Sequence, residues 1–331
     1  MFNRKKFIVS HAPFWHNGSN IAERSYHTLL AALPAAGMGI YLFGMPALAV
    51  FALSVGSAVA WEILYCRLTK QPDTVADGHA AVIGLMFAML LPPVIPWWVV
   101  ITGTFVAVII GKQIYGGIGG NPFNPAVTSL AILTVSWGQH FSFDRAAITY
   151  DHSFAQIYPV AEPLAAVKHA GKYPELFDVG AMAAKFPAME LLMGQQLGGI
   201  GATFGLGLIL GGLYLILRGF IRWEISASFL GGVALTALAF QMANPETYVG
   251  PVFHLLTGYT LLGAFFLATE DSSSPVQRVP MLLFGAIAGV MTVLIRNIGA
   301  YADGVMYGIL IANLINPLLD KIRPKALGKV A

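Results

Sequence analysis

Residues 96–114 read PWWVVITGTFVAVIIGKQI. Between Pro96 and Lys112 the run carries no charge. As a helix it rises about 1.5 Å per residue, enough to approach the roughly 30 Å hydrocarbon core of a bilayer. Pro96 opens the helix, where a missing N–H costs little. Lys112 closes it, where positive charge suits the helix dipole. The same frame returns at a constant offset of 184, with Pro280, Arg296, Asn297 and Ile298 in the places of Pro96, Lys112, Gln113 and Ile114. The second lies five spans further along the chain than the first, so these helices run in opposite directions. The pattern predicts an inverted repeat of five plus five helices, an arrangement that places functional sites at broken helices between the halves.

The rest of the chain agrees with a membrane setting. Of its 331 residues, 56% are hydrophobic and 11% charged, against about 25% charged in a soluble domain. Apolar runs predict ten spans: about 26–44, 46–66, 79–95, 97–115, 122–138, 197–218, 224–243, 252–269, 280–298 and 302–319. Lipid leaves backbone groups only helices or closed barrels, and these runs are too long and too uniformly apolar for barrel strands. The expected fold is an all-α polytopic membrane protein with three parts: an N-terminal five-helix half (1–138), a loop subdomain (139–196) and a C-terminal five-helix half (197–331).

Basic residues orient the chain. With the N-terminus in the cytoplasm, that side holds Arg4, Lys5, Lys6, Arg24, Arg67, Lys70, Lys112, Arg218, Arg222, Arg278, Lys321, Arg323, Lys325 and Lys329. The other side holds Arg145, Lys168, Lys172, Lys185 and Arg296. Both termini are therefore expected in the cytoplasm of an inner-membrane protein, with loop 139–196 in the periplasm. That loop carries His140, Asp144, Asp151, His152, Glu162, His169, Glu175, Asp178 and Glu190, and is long enough for short helices. No cleavable signal peptide is expected at Met1 to Gly18. A net charge of +3 points to no nucleic-acid partner. The single Cys66 excludes an internal disulfide or an iron–sulfur centre. There is no Walker pattern at Gly111-Lys112-Gln113, no dinucleotide fingerprint, and no zinc-protease or serine-hydrolase motif. No catalytic residue and no metal site is assigned.

Gly116-Gly117-Ile118-Gly119-Gly120-Asn121-Pro122-Phe123-Asn124-Pro125-Ala126 cannot continue a helix between spans 4 and 5. Glycine lets backbone approach a ligand, and Asn121 and Asn124 bring amide donors and acceptors. The stretch is either a tight turn or a broken segment lining a cavity. Charge inside lipid is expensive and points to function. Glu62 is either a snorkelling carboxylate beside Arg67 or an ion site. Glu270 and Asp271, next to Ser272, Ser273 and Ser274, either suit a hard cation or form a loop paired with Arg278. Asp303 suits an N-cap of span 10 and joins the candidate ion path. His254 reads as a hydrogen-bonded helix contact. Lys112 and Arg296 read as interfacial anchors, or as groups facing a flavin or phosphate. Trp97 and Trp98, and Trp137 with Phe141, mark aromatic belts. The pairs Gly201/Gly205 and Gly207/Gly211 would permit close helix packing in span 6.

Gly-Gly-x-Gly-x-Asn-Pro-Phe-Asn-Pro-Ala over Gly116–Ala126 resembles the hallmark of the family that unites the D subunit of the Rnf ion-translocating electron transport complex with the B subunit of the sodium-pumping NADH:quinone oxidoreductase. Ala268 to Val276 is similar to that family's second broken helix. Arg296 to Val305 and Asn313 to Asp320 are similar to its later blocks. The resemblance covers nearly the whole chain, and its length and short N-terminus favour the Rnf type. It implies a ten-helix inverted repeat, an ion path, and FMN esterified to a loop threonine in Ser-Gly-Ala-Thr-Pro-Leu. The matching stretch here, Pro159 to Lys168, has Glu162 where that threonine should be. A carboxylate cannot form the phosphoester and would repel the phosphate. In Gly198 to Thr203, Ala202 stands where related chains carry an acid. Covalent FMN is therefore expected to be absent.

The resulting expectation is a membrane subunit of an Rnf-like redox-driven pump for sodium or protons. Electrons would pass between ferredoxin and NAD, or a quinone, through partner iron–sulfur and flavin subunits, and the chain would not be catalytic alone. A non-covalent flavin, FMN or riboflavin, is expected against Gly116, Gly117, Gly119, Asn121 and Asn124. Glu62, Glu270, Asp271 and Asp303 are the candidate ion path. The lost threonine leaves open a non-redox channel or transporter, or a scaffold for redox partners.

Overall fold

The computed structural model describes residues 20–72, 74–141, 143, 162–173 and 178–322. Every regular element among them is helical. The first, α1 (Ile21–Thr69), is broken at Gly44, whose φ of 66° and ψ of −147° suit glycine, with Pro46 two residues on. Unbroken, its 49 residues would reach about 74 Å, more than twice the bilayer core. Its limbs, 21–43 and 45–69, are the first two expected spans. Asn20 caps the start by accepting the Glu23 N–H at 2.7 Å.

Then come α2 (His79–Leu90), α3 (Trp97–Phe105) and α4 (Pro125–Trp137). Three short helices follow: α5 (Pro163–Lys172), α6 (Val179–Ala184) and α7 (Ala188–Leu192). The second half holds α8 (Gly205–Leu217), α9 (Trp223–Ala243), α10 (Pro251–Leu256), α11 (Thr260–Leu262), α12 (Arg278–Asn297) and α13 (Val305–Leu319). Four stretches are long and apolar enough to cross a membrane: α1, Trp97–Tyr115, α9 and α12; α2, α8 and α13 are shorter apolar helices.

Three expected spans are interrupted. Span 3 stops being helical at Leu90, because Pro92 and Pro93 supply no N–H and Pro92 pushes Leu91 to extended backbone (φ −84°, ψ 152°). Span 6 is helical only from Gly205. Residues 197–204 instead dock on the open end of α2, with Ile200 N–H donating to Leu91 O at 2.9 Å and Gly201 N–H to Met89 O at 3.1 Å. Gly201 is therefore not part of a helix–helix pair; a Cβ there would lie 2.3 Å from Met89 Cγ. Span 8 breaks at Thr257–Tyr259, where Gly258 has φ 63°. Gly78 before α2 matches it with φ 71°, so each half starts a short buried helix from a left-handed glycine.

α8 packs on α1 and α13 on α4, joining the halves. At Gly211 a Cβ would lie 2.1 Å from Ala31 O, so the Gly207/Gly211 pair does serve close packing. We expect Gly211→Ala to cost about 1–3 kcal/mol by overpacking; a thermal midpoint in detergent equal to the parent's would show that α1 and α8 can separate freely. Trp98 and Trp137 meet edge-on, with ring centres 4.9 Å apart. Leu164 and Val167 of α5, Leu191 of α7 and Phe186 between α6 and α7 form a small core with Phe253. Asp144, Arg145, Asp151, His152 and Glu175 of that loop lie outside the described residues, as do Arg4, Lys5, Lys6, Arg323, Lys325 and Lys329 of the termini.

Candidate functional site

Beyond Phe105 the helix of α3 widens into a π turn closed by Gly111 N–H donating to Val106 O at 2.8 Å. α11 ends the same way, with Ala268 N–H donating to Gly263 O at 2.8 Å. Single π turns inside helices recur at functional sites. After each one the chain leaves helical geometry. Gly116, Gly117 and Gly119 carry φ of 100°, 93° and 91°, which an L side chain rarely adopts.

The two interrupted segments then meet. Gly119 N–H donates to Ser272 Oγ at 3.1 Å, and Asn121 Nδ2 to Glu270 Oε1 at 3.1 Å. Asn124 Nδ2 donates to Leu267 O at 3.0 Å, while its Oδ1 accepts Val127 N–H and caps α4, with Pro125 in the first turn. From α13, Asn313 and Asn316 both donate to Ser273 O, at 2.9 and 3.0 Å. Ser273 N–H in turn donates to Glu270 Oε2 at 3.0 Å. Both oxygens of Glu270 are thus held, one by each segment. Asp271 pairs with Arg24 of α1. Arg278 takes no part; its guanidinium lies 3.8 Å from Glu224, so the expected loop pairing with Arg278 is replaced by these partners.

Beside this junction opens a cleft of about 400 Å³, lined by Arg24, His79, Ile118, Phe220, Phe266 and Asp271 among others. Of the glycine-rich loop, Ile118 is the residue in its wall. Gly116, Gly117 and Gly119 make the turn, and Asn121 and Asn124 tie the loop to its surroundings.

Glu62 is enclosed by protein. It has no exposed surface and takes a 2.6 Å hydrogen bond from the equally buried Lys112 Nζ, with Thr74 Oγ1 donating at 2.7 Å and Gln113 Nε2 at 3.3 Å. The reading of Glu62 as a carboxylate snorkelling beside Arg67, and of Lys112 as an interfacial anchor, is therefore corrected. Each charge is tolerated in the interior because the other neutralises it. Glu62 Oε2 has no partner among the described residues.

Arg296 is buried too, 2.9 Å from Asp303 Oδ1. Its other N–H groups donate to His254 O (2.8 Å), Thr257 O (3.2 Å) and Thr260 Oγ1 (2.8 Å). It therefore clamps the break of span 8 and is not a surface anchor. Asp303 accepts Val305 N–H at 3.0 Å, as an α13 cap should, and Tyr259 N–H at 2.7 Å. Asp303 follows the C-terminal end of α12 and Glu270 precedes its N-terminal end, and the helix between them is about 30 Å long over its 20 residues. So the structure gathers Glu270 and Asp271, sets Glu62 in its own buried pair, and leaves Asp303 at the opposite end. His254 is not a hydrogen-bonded contact: neither ring nitrogen has a partner among the described residues. Arg24, Thr74, Asn313 and Asn316 are members of these arrangements that composition and spacing do not single out.

The sequence profile of the NQR2, RnfD, RnfE family matches residues 8–328. The chain belongs to that family. It is 34% identical to the D subunit of the ion-translocating oxidoreductase complex of Cronobacter sakazakii, over 97% of this chain and 99% of that one. It is 36% identical to the D subunit of the proton-translocating ferredoxin:NAD(+) oxidoreductase complex of Clostridium ljungdahlii, over 95% of this chain and 94% of that one. The D subunit of the ion-translocating oxidoreductase complex of Escherichia coli, strain SMS-3-5, is 33% identical over 97% and 98% of the two chains. In this NQR2, RnfD, RnfE family member, Glu162 is the residue that precedes α5, with Pro163 in the first turn. A threonine there would sit at the helix N-terminus, a position suited to phosphate; a carboxylate meets the same dipole with its own charge and offers no hydroxyl to esterify. Ala202 is buried in the segment docked on α2.

Proposed function

We propose that the chain is the D-type membrane component of an Rnf-like redox-driven ion pump, supplying the ion path and part of the membrane redox chain. The observation that carries this reading is the junction of the two broken segments around Glu270. A carboxylate held by two backbone interruptions inside a helical bundle can bind a cation or proton, and can release it when the segments shift. The relatives are named as parts of ion-translocating and proton-translocating complexes, which supports the same assignment. The coupled ion is sodium or a proton. Partners are the other membrane, iron–sulfur and flavin subunits of such a complex, and electrons pass between ferredoxin and NAD, or to a quinone, through them. Residues 1–138 and 197–331 form two inverted halves joined by the 139–196 subdomain. With Lys112 and Arg296 removed from the surface count, basic residues still favour both termini in the cytoplasm and that subdomain in the periplasm of the inner membrane.

The cleft beside the junction fits a non-covalent flavin. Its volume lies within the usual range of about 300–1,000 Å³, and Phe220, Phe265, Phe266 and Ile118 give it apolar walls. Glu270 and Asp271 at its rim disfavour a phosphate, so riboflavin suits it better than FMN. A bound flavin would supply one-electron transfer. The chain's own part is to hold the cation or proton at Glu270, to orient that carboxylate through Asn121 and Ser273, and to keep lipid out with the aromatic walls. Glu62 with Lys112, and Asp303 with Arg296, continue the path towards either end.

Acid precipitation of the purified complex tests the flavin part. Flavin belonging to this chain should appear in the supernatant. Flavin retained on the precipitated chain contradicts the reading of Glu162. The loss of the esterifiable threonine favours one competitor, a non-redox transporter or scaffold; a flavin-free chain in an otherwise active complex would select it.

A further inference from the structure

The first turns of α9 and α12, which pack together, border a cavity of about 540 Å³. We propose that it binds the head group of a phosphatidylethanolamine-type lipid, with the ammonium on Glu224 and the phosphate on Arg278 and Arg222. The site needs nothing from the ion-path reading, since neither Glu270 nor Asp271 lines this space.

The two helices supply the membrane setting. Both are long and apolar enough to cross a bilayer, so their first turns stand near one interface. Trp223 opens α9 with an exposed ring, as residues of an interfacial belt do. Val276 and Val279 are exposed at the cavity, and Leu282 and Leu283 are exposed further along α12. This apolar face gives acyl chains a surface leading away from the charged end. Arg222 and Arg278 line the cavity at that end. Guanidinium groups suit phosphate, which they bind through paired N–H donors. The Arg278 side chain is 89% exposed and can turn onto a head group.

Glu224 decides which head group fits. It is 6% exposed, lines the cavity, and has its Oε2 buried without a hydrogen-bond partner among the described residues. Arg278 Nε stands 3.8 Å from Oε1, too far for a hydrogen bond. Leaving a buried acceptor unsatisfied is costly, and buried polar groups nearly always have a partner. Two arginines alone would suit any anionic head group. The carboxylate beside them repels a second negative charge. A primary ammonium brings three N–H donors and can satisfy Glu224 while its own phosphate meets the arginines. A choline head group carries the same charges and no N–H. The site therefore selects ethanolamine over choline by hydrogen bonding, and over glycerol head groups by charge.

The test offers the full chain in mild detergent equal amounts of phosphatidylethanolamine, phosphatidylcholine and phosphatidylglycerol, and counts retained lipid by native mass spectrometry. Phosphatidylethanolamine should be retained about tenfold over each of the others. Glu224→Met keeps the length and removes the acceptor; it should bring phosphatidylethanolamine and phosphatidylcholine to parity without lowering the unfolding temperature. Arg278→Gln should lower the retention of both, since both carry the phosphate. If the Glu224 variant folds poorly, the parent chain decides the matter with N-methylated phosphatidylethanolamines, whose retention should fall with each donor lost. Equal retention of ethanolamine and choline lipids, a preference for phosphatidylglycerol, or an unchanged preference in Glu224→Met overturns the proposal. So does a preference seen in the chain and lost in the intact complex, which would mean that a partner subunit covers this face.

Discussion

Replacing Lys112 by methionine should lower the stability of the chain by about 3–5 kcal/mol, the usual result of leaving one buried charge without its partner. Glu62 has no exposed surface, so water cannot take over from the ammonium. Among the described residues, Thr74 and Gln113 remain to bond the carboxylate. The variant should unfold at a clearly lower temperature in detergent and be recovered poorly. The double variant Glu62→Met/Lys112→Met should regain most of the loss, because a buried ion pair exchanged for apolar residues of similar volume is often neutral or stabilising. This pair of variants also separates architecture from transport. A double variant that is stable but no longer couples electron flow to ion movement places Glu62 on the path. A stable double variant with normal coupling makes the pair purely structural. A Lys112→Met chain as stable as the parent would mean that the two groups do not meet.

Glu270→Gln should reduce ion uptake by proteoliposomes containing the whole complex about tenfold or more, the loss of roughly 1.4 kcal/mol or more of cation binding. Electron transfer between soluble donor and acceptor should be far less affected. Glutamine keeps the shape, and its one oxygen can still accept from either Asn121 or Ser273, so the variant loses the formal charge and one of the two hydrogen bonds while the Asn124, Asn313 and Asn316 bonds still hold the junction. Asp271→Asn should act more weakly, because Asp271 is largely exposed and its partner Arg24 is on the rim of the cleft; exposed pairs contribute about 0–1 kcal/mol. Uptake equal to the parent's in Glu270→Gln would remove this carboxylate from the path.

The membrane-spanning layout was readable because lipid asks for long uncharged runs, and α1, α9, α12 and Trp97–Tyr115 are such runs. The break at Gly44 was readable for a related reason: Gly44-Met45-Pro46 interrupts an otherwise continuous apolar stretch. The interruptions of spans 3, 6 and 8 were less so. Hydropathy does not see them, since Leu91 to Ile95, Leu197 to Phe204 and Thr257 to Tyr259 sit inside runs that are apolar throughout. The signals were Pro92, Pro93 and Pro96 in the first, clustered glycines in the second, and the lone Gly258 in the third. The charges were the hardest to read. A lysine or arginine at the end of an apolar run looks the same whether it reaches into the headgroups or turns inward. Lys112 turns inward to a carboxylate 50 residues earlier in the chain. Nothing local records that partner. The constant offset did record that Lys112 and Arg296 are counterparts, and both are buried against a carboxylate. For the site, the glycine-rich loop and the Glu270 segment were each visible as interruptions. Their contact was not, because it rests on Asn121 reaching across 149 positions to Glu270. The capping role of Asp303 was readable from its place before α13; its bond to Arg296 was not.

The pump role rests on the two interruptions joining inside the bundle to form one polar site that moves with the ion. The direct measurement is cross-linking of Ile118→Cys to Ser272→Cys, in a Cys66→Ser background, within the intact complex in membranes. A short bifunctional maleimide should join the two rapidly, and the joined complex should stop ion uptake while its soluble redox partners still accept electrons. Absence of a cross-link, with each cysteine alone reacting quickly with a membrane-impermeant thiol reagent, would place both segments out in water and leave the pump without a site.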